Sequence, residues 1–459
     1  MKTYRFVSLL IVLLTVFNQQ VAIAEKETLV LDGRFQDWTD QQIIARDPIG
    51  DQTAAFDISY LAARTDRTQL YLRFDLGQTL NLQNGPKEEG TLELHLGLPA
   101  DRFLVINFRG RFACYSDAPA ERIPWDRLDF VCLPTFASDS VELRVDLSHA
   151  GVAQGETVTI DFRGSDRLSQ PVSIRLEETS TPQPHSTKRL RDSDLRVASL
   201  NTLRGGLSDA RRSGPIGRLV AAADADIYCF QEEHDESRFR HAAKRIGRHP
   251  HWANGCGIVT DYPLIPLPLD LSQGAVASIT LPSGKPIIVC SVHLKCCGYR
   301  GSPEDLQRIQ QAKRLTSELT RLRLAHNRST AAAPGVIVTG DYNLVGSRRP
   351  LTLIESIGLR SRLLLSHGDN SATTWRGRAD EPFWPGRLDF VAYDSKQLRP
   401  ANGYLLDTYR MTNAHRSQLG LKADDSQASD HLLLIADFQL CQSNAPHNDP
   451  ICTVLVEDR

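Results

Sequence analysis

The sequence has almost no net charge and, beyond its first 24 residues, no long apolar run. Its 459 residues hold 53 Lys and Arg against 55 Asp and Glu, a formal net charge of −2, so the whole-chain balance indicates no strongly charged partner. No later segment offers the roughly 20 apolar residues that a membrane-spanning helix needs. With 41% hydrophobic and 24% charged residues, the chain is neither disordered nor fibrous and can bury hydrophobic cores.

The sequence also lacks internal repeats and zinc-binding motifs. No similarity recurs at the periods of solenoids or propellers. The adjacent cysteines Cys296 and Cys297 have neither a C-x-x-C nor an H-x-x-H spacing beside them, so a disulfide is favoured over a metal site.

Nine cysteines are present, which leaves at least one thiol without a partner in the chain. Cys229 and Cys290 lie in apolar, β-rich runs and are predicted to be buried free thiols. Three disulfides are predicted among the remaining cysteines. In the third disulfide, Cys256 pairs with one of the adjacent cysteines Cys296 and Cys297, and the other stays free. These pairs are Cys114 with Cys132, Cys441 with Cys452, and Cys256 with Cys296.

The first 24 residues have the pattern of a secretory signal. Two basic residues precede a 12-residue apolar run from Phe6 to Phe17, and the small residues of Ala22-Ile23-Ala24 follow. The run is too short to span a bilayer, and no cysteine follows it closely, as a lipoprotein anchor would require. We expect cleavage after Ala24 and a secreted or periplasmic protein, in which disulfides can form.

Composition divides the rest of the chain. Residues 25–178 hold 16 basic and 26 acidic side chains, whereas residues 179–459 hold 35 and 29, so their net charges are −10 and +6. Residues 179–193 contain two prolines and many small polar residues without periodicity, which is typical of a linker. Because single cores stop growing at roughly 250–300 residues, we predict domains at 25–178 and 194–440, followed by a disulfide-tied tail at 441–459.

Residues 25–178 are predicted to form an all-β sandwich of the immunoglobulin or jelly-roll kind. Segments such as Gln69–Leu76 alternate strictly between apolar and polar residues, the pattern of half-buried antiparallel strands. The opening segment Asp32-Gly33 to Asp37-Trp38 resembles the start of family 9 and DOMON-like carbohydrate-binding β-sandwiches, and this resemblance implies glycan binding. The alternative is that Trp38 is simply a core aromatic residue that caps the sandwich.

Residues 194–440 alternate between strands and helices, which predicts an α/β layered domain. Polar side chains follow or precede its apolar strands, so that strand ends would gather them into one cleft. A single carboxylate at a strand end usually forms a turn, but turns do not explain this many sites with this mixture of residue types. The candidate residues are Asn201, Glu232, His293, Asp341, Asn343, Asp389, Asp430 and His431.

The motifs around these residues resemble, in order, those of the endonuclease/exonuclease/phosphatase superfamily. They are S-L-N at 199–201, Q-E at 231–232, V-H-L at 292–294, G-D-Y-N at 340–343, R-L-D-F at 387–390 and S-D-H at 429–431. The resemblance implies a DNase I-like four-layer α/β sandwich, with two packed sheets flanked by helices. It also implies a metal-dependent enzyme that hydrolyses phosphate esters with activated water.

The resemblance assigns the metal site to three of the residues. Glu232 would bind the cation, Asn201 would help to hold the metal or the phosphate, and Asp430 would supply a second carboxylate nearby. Hard oxygen ligands suit Mg²⁺, for which Mn²⁺ can substitute.

The same resemblance assigns the catalytic roles. Asp341 would orient or deprotonate the attacking water, and Asn343 would donate to the phosphoryl oxygens. His431 would contact the phosphate or act as a base, with Asp389 fixing its tautomer. His293 would protonate the leaving oxygen. Lys295 and Arg300 follow His293 closely and are weaker candidates for phosphate contacts, the alternative being a solvated loop.

The sequence leaves the substrate open. The +6 of residues 179–459 favours a polyanion, so a nuclease is the leading hypothesis. A sphingomyelinase-like or other phospholipid phosphodiesterase and an inositol or sugar phosphatase remain alternatives. The non-enzymatic alternative is an extracellular glycan-binding or adhesion protein that uses the fold as a scaffold.

Overall fold

The structure is a computed structural model that describes residues 29–51, 55–86, 89–99, 101–178, 186–190, 195–269, 271–329, 334–377 and 381–441. The expected signal sequence, with its cleavage after Ala24, lies outside the described residues. So does the expected tail beyond Cys441, and only residues 186–190 of the expected linker are described. None of the described helices is both long enough and apolar enough to cross a bilayer.

The first part of the chain, residues 29–178, forms two antiparallel sheets. The first has the strand order β1-β2-β3-β9-β8 and the second has the order β11-β10-β4-β5-β6-β7. The strands are β1 (Ile43–Arg46), β2 (Tyr60–Asp66), β3 (Gln69–Leu80), β4 (Leu92–Leu98), β5 (Arg102–Asn107), β6 (Phe112–Tyr115), β7 (Ala118–Ile123), β8 (Val131–Leu133), β9 (Ser138–Asp146), β10 (Thr157–Gly164) and β11 (Val172–Arg175).

Alternation of side chains explains how these two sheets share one core. Along β3, Leu70, Leu72 and Phe74 are fully buried, whereas the residues between them are partly exposed. The ring of Phe74 lies 4.8 Å from that of Phe162 on the other sheet, centroid to centroid. Both belong to one hydrophobic cluster drawn from both sheets, which removes apolar surface from water.

Trp38 belongs to the interior of this first part. It is 7% exposed, and its Nε1 donates a hydrogen bond of 2.9 Å to Oε2 of Glu142. The other carboxylate oxygen of Glu142 accepts the backbone N–H groups of Asp32 and Gly33. The opening motif therefore surrounds a buried glutamate, and the indole ring of Trp38 offers little surface on which a sugar could stack.

The second part of the chain contains two six-stranded mixed sheets. Their orders are β14-β15-β13-β12-β23-β22 and β16-β17-β18-β19-β21-β20. The strands are β12 (Leu195–Asn201), β13 (Ile227–Gln231), β14 (His249–Ala253), β15 (Cys256–Thr260), β16 (Leu264–Pro266), β17 (Gly274–Thr280), β18 (Pro286–His293), β19 (Gly335–Asp341), β20 (Leu359–Arg362), β21 (Asp389–Asp394), β22 (Leu398–Leu406) and β23 (Leu433–Leu440). The helices are α1 (Ser213–Ala223), α2 (Glu236–Ala243), α3 (Pro303–Ser329), α4 (Arg349–Ser356) and α5 (Asn413–Gln418).

These elements form the four layers that the resemblance implied. One hydrophobic cluster lies between the two sheets and includes Val197 and Ile337. A second cluster joins α1 and α2 to the outer face of the sheet that contains β12. A third cluster joins α3 and α4 to the outer face of the sheet that contains β19. Two packed sheets are thus flanked by helices on both sides.

The two parts of the chain also pack directly against each other. Trp384, from the connection between β20 and β21, is 2% exposed and belongs to the core of the first part. Arg144 on β9 forms ion pairs of 2.8 Å with Asp369 and 3.0 Å with Asp129. Contact between the parts therefore does not depend on the linker at 179–193.

The predicted disulfide between Cys114 and Cys132 is wrong, because both are free thiols. Cys132 lies on β8 and faces the core that the first two sheets share. Cys114 lies on β6 of the opposite sheet, where its neighbour Ala113 faces that core. Successive side chains of a strand point to opposite faces, so the two sulfurs point away from each other.

The predicted disulfide between Cys256 and Cys296 is also wrong, and both are free thiols. Cys256 is buried between the two sheets of the second part, whereas Cys296 lies in the loop after β18 with its sulfur 2.8 Å from that of Cys297. Cys229 and Cys290 are buried free thiols, as predicted. Cys452 lies outside the described residues, so its pairing with Cys441 stays a prediction.

Candidate active site

The polar side chains at the strand ends meet at one edge of the second part. Strand β12 ends at Asn201, and β13 ends one residue before Glu232. On the other sheet β18 ends at His293, which is in register with Asp341 at the end of β19, and Asp341 is in register with Asp389 at the start of β21. The site therefore takes side chains from both sheets.

Asp341 lies at the centre of this group and is 2% exposed. Its Oδ1 accepts the backbone N–H of Asn343 at 2.9 Å, and its Oδ2 accepts the side-chain amides of Asn343 at 2.9 Å and Asn201 at 3.1 Å. The Nε2 atoms of His293 and His431 lie 3.6 Å and 3.8 Å from the same Oδ2. Asp341 is thus oriented by amides and faced by two imidazoles.

The surroundings of Asp341 change the pKa of its carboxyl group. Burial raises this pKa to about 6, with a further contribution from the charge of Asp389, whereas the charges of His431 and His293 lower it. A carboxyl group that titrates near neutral pH can accept a proton during a reaction and lose it again.

Glu232 is joined to Asp341 through Asn201. The amide of Asn201 donates hydrogen bonds of 3.1 Å to Oε1 of Glu232 and 3.1 Å to Oδ2 of Asp341. Glu232 Oε2 accepts the backbone N–H of Arg204 at 2.8 Å. Burial raises the pKa of Glu232, but the charge of His293 and these hydrogen bonds lower it below its ordinary value. The backbone of Glu232 has a φ of 61°, a left-handed conformation that costs energy outside glycine and is frequent at functional sites.

His431 and Asp389 form a buried pair. Nδ1 of His431 lies 2.8 Å from Oδ2 of Asp389, which leaves Nε2 facing Asp341. Burial lowers the pKa of His431, but the charge and hydrogen bond of Asp389, with the charges of Asp341 and Asp430, raise it to about 10. His431 is therefore a cation at neutral pH and is suited to contact an anionic phosphoryl group.

Asp430 is half-buried next to His431, and its charge helps to raise the pKa of that imidazole. The two weaker phosphate candidates differ in position. Lys295 is half-buried next to Cys296, and its charge helps to lower the pKa of that thiol. Arg300 is exposed and turns to the first part of the chain, where it donates to the backbone oxygen of Thr79. The structure places Lys295 beside His293 in the loop and Arg300 away from the other site residues.

Two supporting hydroxyl groups were not among the candidate residues of the sequence. Ser429 Oγ donates to the backbone oxygen of Asn201 at 2.6 Å, and Thr374 Oγ1 accepts the backbone N–H groups of Leu388 and Asp389 at 3.0 Å each. These bonds fix the strand ends that carry Asn201 and Asp389. Ser429 lies inside the S-D-H motif, but nothing in the sequence around Thr374 distinguishes it from other loop threonines.

A cavity of about 940 Å³ lies between the two parts of the chain and borders this site. Leu203 and Asp430 line it on the side of the site, and Phe112, Arg122 and Trp125 line it on the side of the first two sheets. The first part of the chain therefore supplies one wall of the space next to the candidate active site.

The donor set fits a divalent metal ion. The side-chain amide of Asn201 donates to a carboxylate oxygen of Glu232 and to one of Asp341. Among the described residues, no lysine or arginine forms an ion pair with either carboxylate. Glu232, with Asn201 beside it, would hold a hard cation, which typically uses one or two carboxylates and keeps several waters.

This chain is similar to a known protein family and to several solved structures. The model of the Endonuclease/Exonuclease/phosphatase family matches residues 198–431 of the 459. The human Nocturnin catalytic domain is similar at 21% identity over 55% of this chain and 96% of its own, with a TM-score of 0.39. Beta toxin from Staphylococcus aureus is similar at 16% identity over 53% and 99%, with a TM-score of 0.34. ANGEL2, a 2',3'-cyclic phosphatase, is similar at 16% identity over 55% and 97%, with a TM-score of 0.38.

The search of curated proteins found no match. The family match covers more than half of the chain and includes every strand end that carries the candidate residues. The chain therefore belongs to the Endonuclease/Exonuclease/phosphatase family and is a metal-dependent phosphoric ester hydrolase.

Proposed function

We propose that this hydrolase is a secreted, Mg²⁺-dependent phosphodiesterase that cleaves nucleic acid. The observation that carries the proposal is the position of Asp341, whose Oδ2 lies 3.6 Å from Nε2 of His293 and 3.8 Å from Nε2 of His431. Asn201 links the same oxygen to Glu232. A base, two imidazoles and a metal ligand around one point are the groups that in-line attack of water on a phosphodiester requires.

The surroundings of each group indicate its part in the reaction. Asp341, with a pKa near 6, takes the proton of the attacking water as the new oxygen–phosphorus bond forms. His431 stays protonated and stabilises the charge on the phosphoryl oxygens, which favours phosphate contact over a role as base. His293 donates its proton to the leaving oxygen as that bond breaks. A divalent cation held by Glu232 would supply Lewis-acid stabilisation of the phosphoryl oxygens.

Asn343 holds Asp341 in place. Its amide nitrogen donates to the backbone oxygen of Leu294 at 3.1 Å and to Oδ2 of Asp341 at 2.9 Å. Both N–H bonds of the amide are therefore used, and a contact of Asn343 with the phosphoryl oxygens would require one of them to break. Orientation of the base is the role that its observed contacts support.

Charge favours nucleic acid as the substrate. Residues 179–459 carry a net charge of +6 although they include the acidic residues of the site, and Arg204 is exposed next to Glu232. A basic surface around an acidic metal site suits a polyanionic substrate. Among the described residues, the most exposed large hydrophobic side chains are not neighbours in sequence, and only Leu306 and Leu324 share an element, helix α3. This scatter gives a phospholipid substrate less support. The side chains are Ile49, Leu190, Ile265, Leu306, Leu324 and Tyr409.

A substrate panel tests the proposal. Mature protein with Mg²⁺ or Mn²⁺ should degrade DNA or RNA and should lose this activity in chelator. Replacing the base in Asp341→Asn, or the cation in His431→Ala, should lower the rate by on the order of 10²–10⁴. Lys396→Ala is a control variant, since Lys396 lies at the turn between β21 and β22, and it should retain full activity.

The same panel separates the alternatives. Turnover of sphingomyelin or of bis-p-nitrophenyl phosphate without cleavage of nucleic acid would contradict the nuclease proposal but keep a phosphodiesterase. Release of phosphate from inositol or sugar phosphates alone would indicate a phosphatase. Inactivity on every phosphate ester, in the presence of metal, would favour the scaffold hypothesis.

Secretion and the role of the first part are further elements of the proposal. Cleavage after Ala24 predicts a mature protein that begins at Glu25, which N-terminal sequencing of the exported protein would detect.

We interpret the two sheets of residues 29–178 as the β-sandwich expected from the sequence. Glycan binding by this part gains no support from the buried Trp38, and a glycan pull-down with the mature chain would detect it.

A further inference from the structure

Three aspartates come together at one end of the first two sheets, far in sequence from the catalytic residues. Asp47 follows β1 and Asp51 lies four residues later, whereas Asp166 follows β10 on the other sheet. One carboxylate oxygen from each of the three lies within 4.8 Å of the other two. The cluster therefore joins the β1–β2 connection to the β10–β11 connection.

Asp47 is buried in a way that leaves one of its oxygens without a donor. It is 7% exposed, and its Oδ1 accepts the backbone N–H of Ser169 at 2.7 Å as well as the hydroxyl group of the same residue. Its Oδ2 is buried and has no hydrogen-bond partner. Burying an unpaired carboxylate oxygen is costly, so a ligand that pairs with it would stabilise the fold.

Neighbouring acidic groups raise the free-energy cost of burying the unpaired oxygen of Asp47. Asp166 is 1% exposed, and its two oxygens accept the backbone N–H groups of Ile58 and Arg167. Asp57 lies beside Ile58, and its Oδ1 is likewise buried without a partner while its Oδ2 accepts the N–H of Gly50. Among the described residues, no lysine, arginine or histidine forms an ion pair with Asp47, Asp51 or Asp166. Like charges at this spacing repel each other.

The ligand chemistry selects the class of ion that would relieve this repulsion. The side-chain donors are all carboxylate oxygens, which bind hard cations and disfavour softer metals. Ca²⁺ accepts six to eight oxygens from irregular loops, whereas Mg²⁺ demands near-ideal octahedral geometry and keeps its waters. Both connections that carry the aspartates are loops, and Asp51 is exposed, so waters can complete the coordination shell.

We propose that Asp47, Asp51 and Asp166 form a structural Ca²⁺ site that ties the two N-terminal sheets together. The site lies outside the catalytic residues and does not depend on the proposed nuclease activity. Because Ca²⁺ binds the folded state, it raises the free energy of unfolding. At concentrations above the dissociation constant, this increase grows with the logarithm of the Ca²⁺ concentration.

Calorimetry and thermal unfolding of the mature chain test this proposal. After removal of metals with chelator and dialysis, titration with CaCl₂ should give saturable binding in the wild type. The unfolding temperature should rise by about 5–10 °C at a hundredfold excess of Ca²⁺ over its dissociation constant. In Glu232→Gln, which lacks the proposed catalytic metal ligand, Mg²⁺ at the same concentration should give a much smaller rise that is not additive with that of Ca²⁺.

Variants locate the site and keep the test decisive. Asp51→Asn, on an exposed side chain, should fold normally and bind Ca²⁺ on the order of 10–100-fold more weakly, and Asp47→Asn should bind more weakly still. Asp139→Asn makes the same charge change at an exposed position of β9 and should keep wild-type binding. Glu232→Gln removes the catalytic metal ligand and should also keep the Ca²⁺ effect.

Three results would overturn the proposal. The first is no binding and no shift of the unfolding temperature up to about 10 mM Ca²⁺, a concentration above the dissociation constants of the weakest extracellular sites. The second is unchanged binding in Asp51→Asn and Asp47→Asn. The third is an equal stabilisation of Glu232→Gln by Mg²⁺. Loss of the Ca²⁺ effect in Glu232→Gln would assign the ion to the catalytic site instead.

Discussion

The indole ring of Trp384 lies edge-on to the phenyl ring of Phe108, with centroids 5.8 Å apart and planes at 81°. Phe108 belongs to the core of the first two sheets, whereas Trp384 comes from a connection of the catalytic domain. The chain leads from Trp384 through Arg387 to Asp389, the partner of His431. One tryptophan therefore links the core of one part to the active site of the other.

We expect Trp384→Ala to destabilise the protein by about 3–5 kcal/mol, because it leaves a large cavity in a buried core. Trp384→Phe should cost less, since part of the aromatic contact with Phe108 is kept. Urea unfolding followed by circular dichroism would measure both. Tyr409→Ala, at an aromatic residue that is 66% exposed, is the control and should change stability by less than about 0.5 kcal/mol. A small effect of Trp384→Ala would contradict the packing described here.

The pairing of His431 with Asp389 predicts a change in the pH profile of hydrolysis. The charge and hydrogen bond of Asp389 are the main reasons that the pKa of His431 rises to about 10 despite burial, which lowers it. In Asp389→Asn the pKa of His431 should fall by about 1–3 units. Because the proposed mechanism requires protonated His431, the alkaline limb of the rate profile should move to lower pH by the same amount.

Rate profiles from pH 5 to pH 10 on a small phosphodiester would measure this shift. An Asp389→Asn enzyme whose rate is lower at every pH, with the alkaline limb unmoved, would show that His431 need not be protonated. Asp394→Asn, at the far end of β21, serves as a comparison and should leave the position of the limb unchanged.

Glu142 predicts an unusual dependence of stability on pH. Burial raises its pKa to about 8, although the N–H groups of Trp38 and Gly33 lower it. The unfolded chain ionises this group near its ordinary pKa of 4.5, so between pH 4.5 and pH 8 the folded state holds more protons than the unfolded state. The free energy of unfolding should therefore contain a term that falls as the pH rises through this window, by on the order of a few kcal/mol.

Glu142→Gln should remove that term, because the amide does not ionise and its oxygen can still accept the N–H of Trp38. Urea midpoints measured at several pH values in wild type and variant would isolate it as their difference. Glu121→Gln, at an exposed position of β7, should follow the wild type at every pH. Parallel curves for wild type and Glu142→Gln would show that the carboxyl group is ionised throughout.

Cys296 should be the most reactive of the described cysteines. The hydrogen bond from Cys297 lowers its pKa to about 6, assisted by the charges of Lys295, His293 and Arg308 and opposed by burial. At pH 7 the thiolate therefore predominates, and thiolates are the form that iodoacetamide attacks. Burial raises the pKa of the thiols of Cys256 and Cys290, which should resist modification.

Peptide mass spectrometry after a brief alkylation would rank the cysteines. In Cys297→Ala the rate of modification at Cys296 should fall at pH 7, because the hydrogen bond that stabilises the thiolate is lost. Recovery of Cys296 in a disulfide with Cys256 would contradict the arrangement of the loop after β18.

The order of short motifs along the sequence was enough to predict which polar side chains meet. Asn201, Glu232, His293 and Asp341 each follow an apolar strand, and strand ends at one edge of a sheet converge. The amphipathic pattern of residues 304–323 predicts a long helix. The helix in the structure is longer, Pro303–Ser329, because helix ends depend on packing as well as on pattern.

Contacts between distant segments could not be predicted in this way. Cys114 and Cys132 are close in sequence, but the faces on which they lie depend on which strands pair, and alternation alone does not reveal the partner strand. Trp384 resembled any loop tryptophan, since nothing around it encodes the core into which it packs. Glu142 lies in an alternating strand, and its burial against Trp38 became visible only when both sheets were in place.

The division of the site between two sheets also determines when the enzyme can first act. Strand β23 is the last described strand and pairs with β12. His431 lies just before it, separated from its first residue by Leu432. A growing chain that has folded as far as β13 and Glu232 still lacks His431, whose imidazole faces Asp341. If His431 has the proposed role, hydrolysis therefore requires β23 to be inserted next to β12, and a chain synthesised only as far as Glu232 is inert.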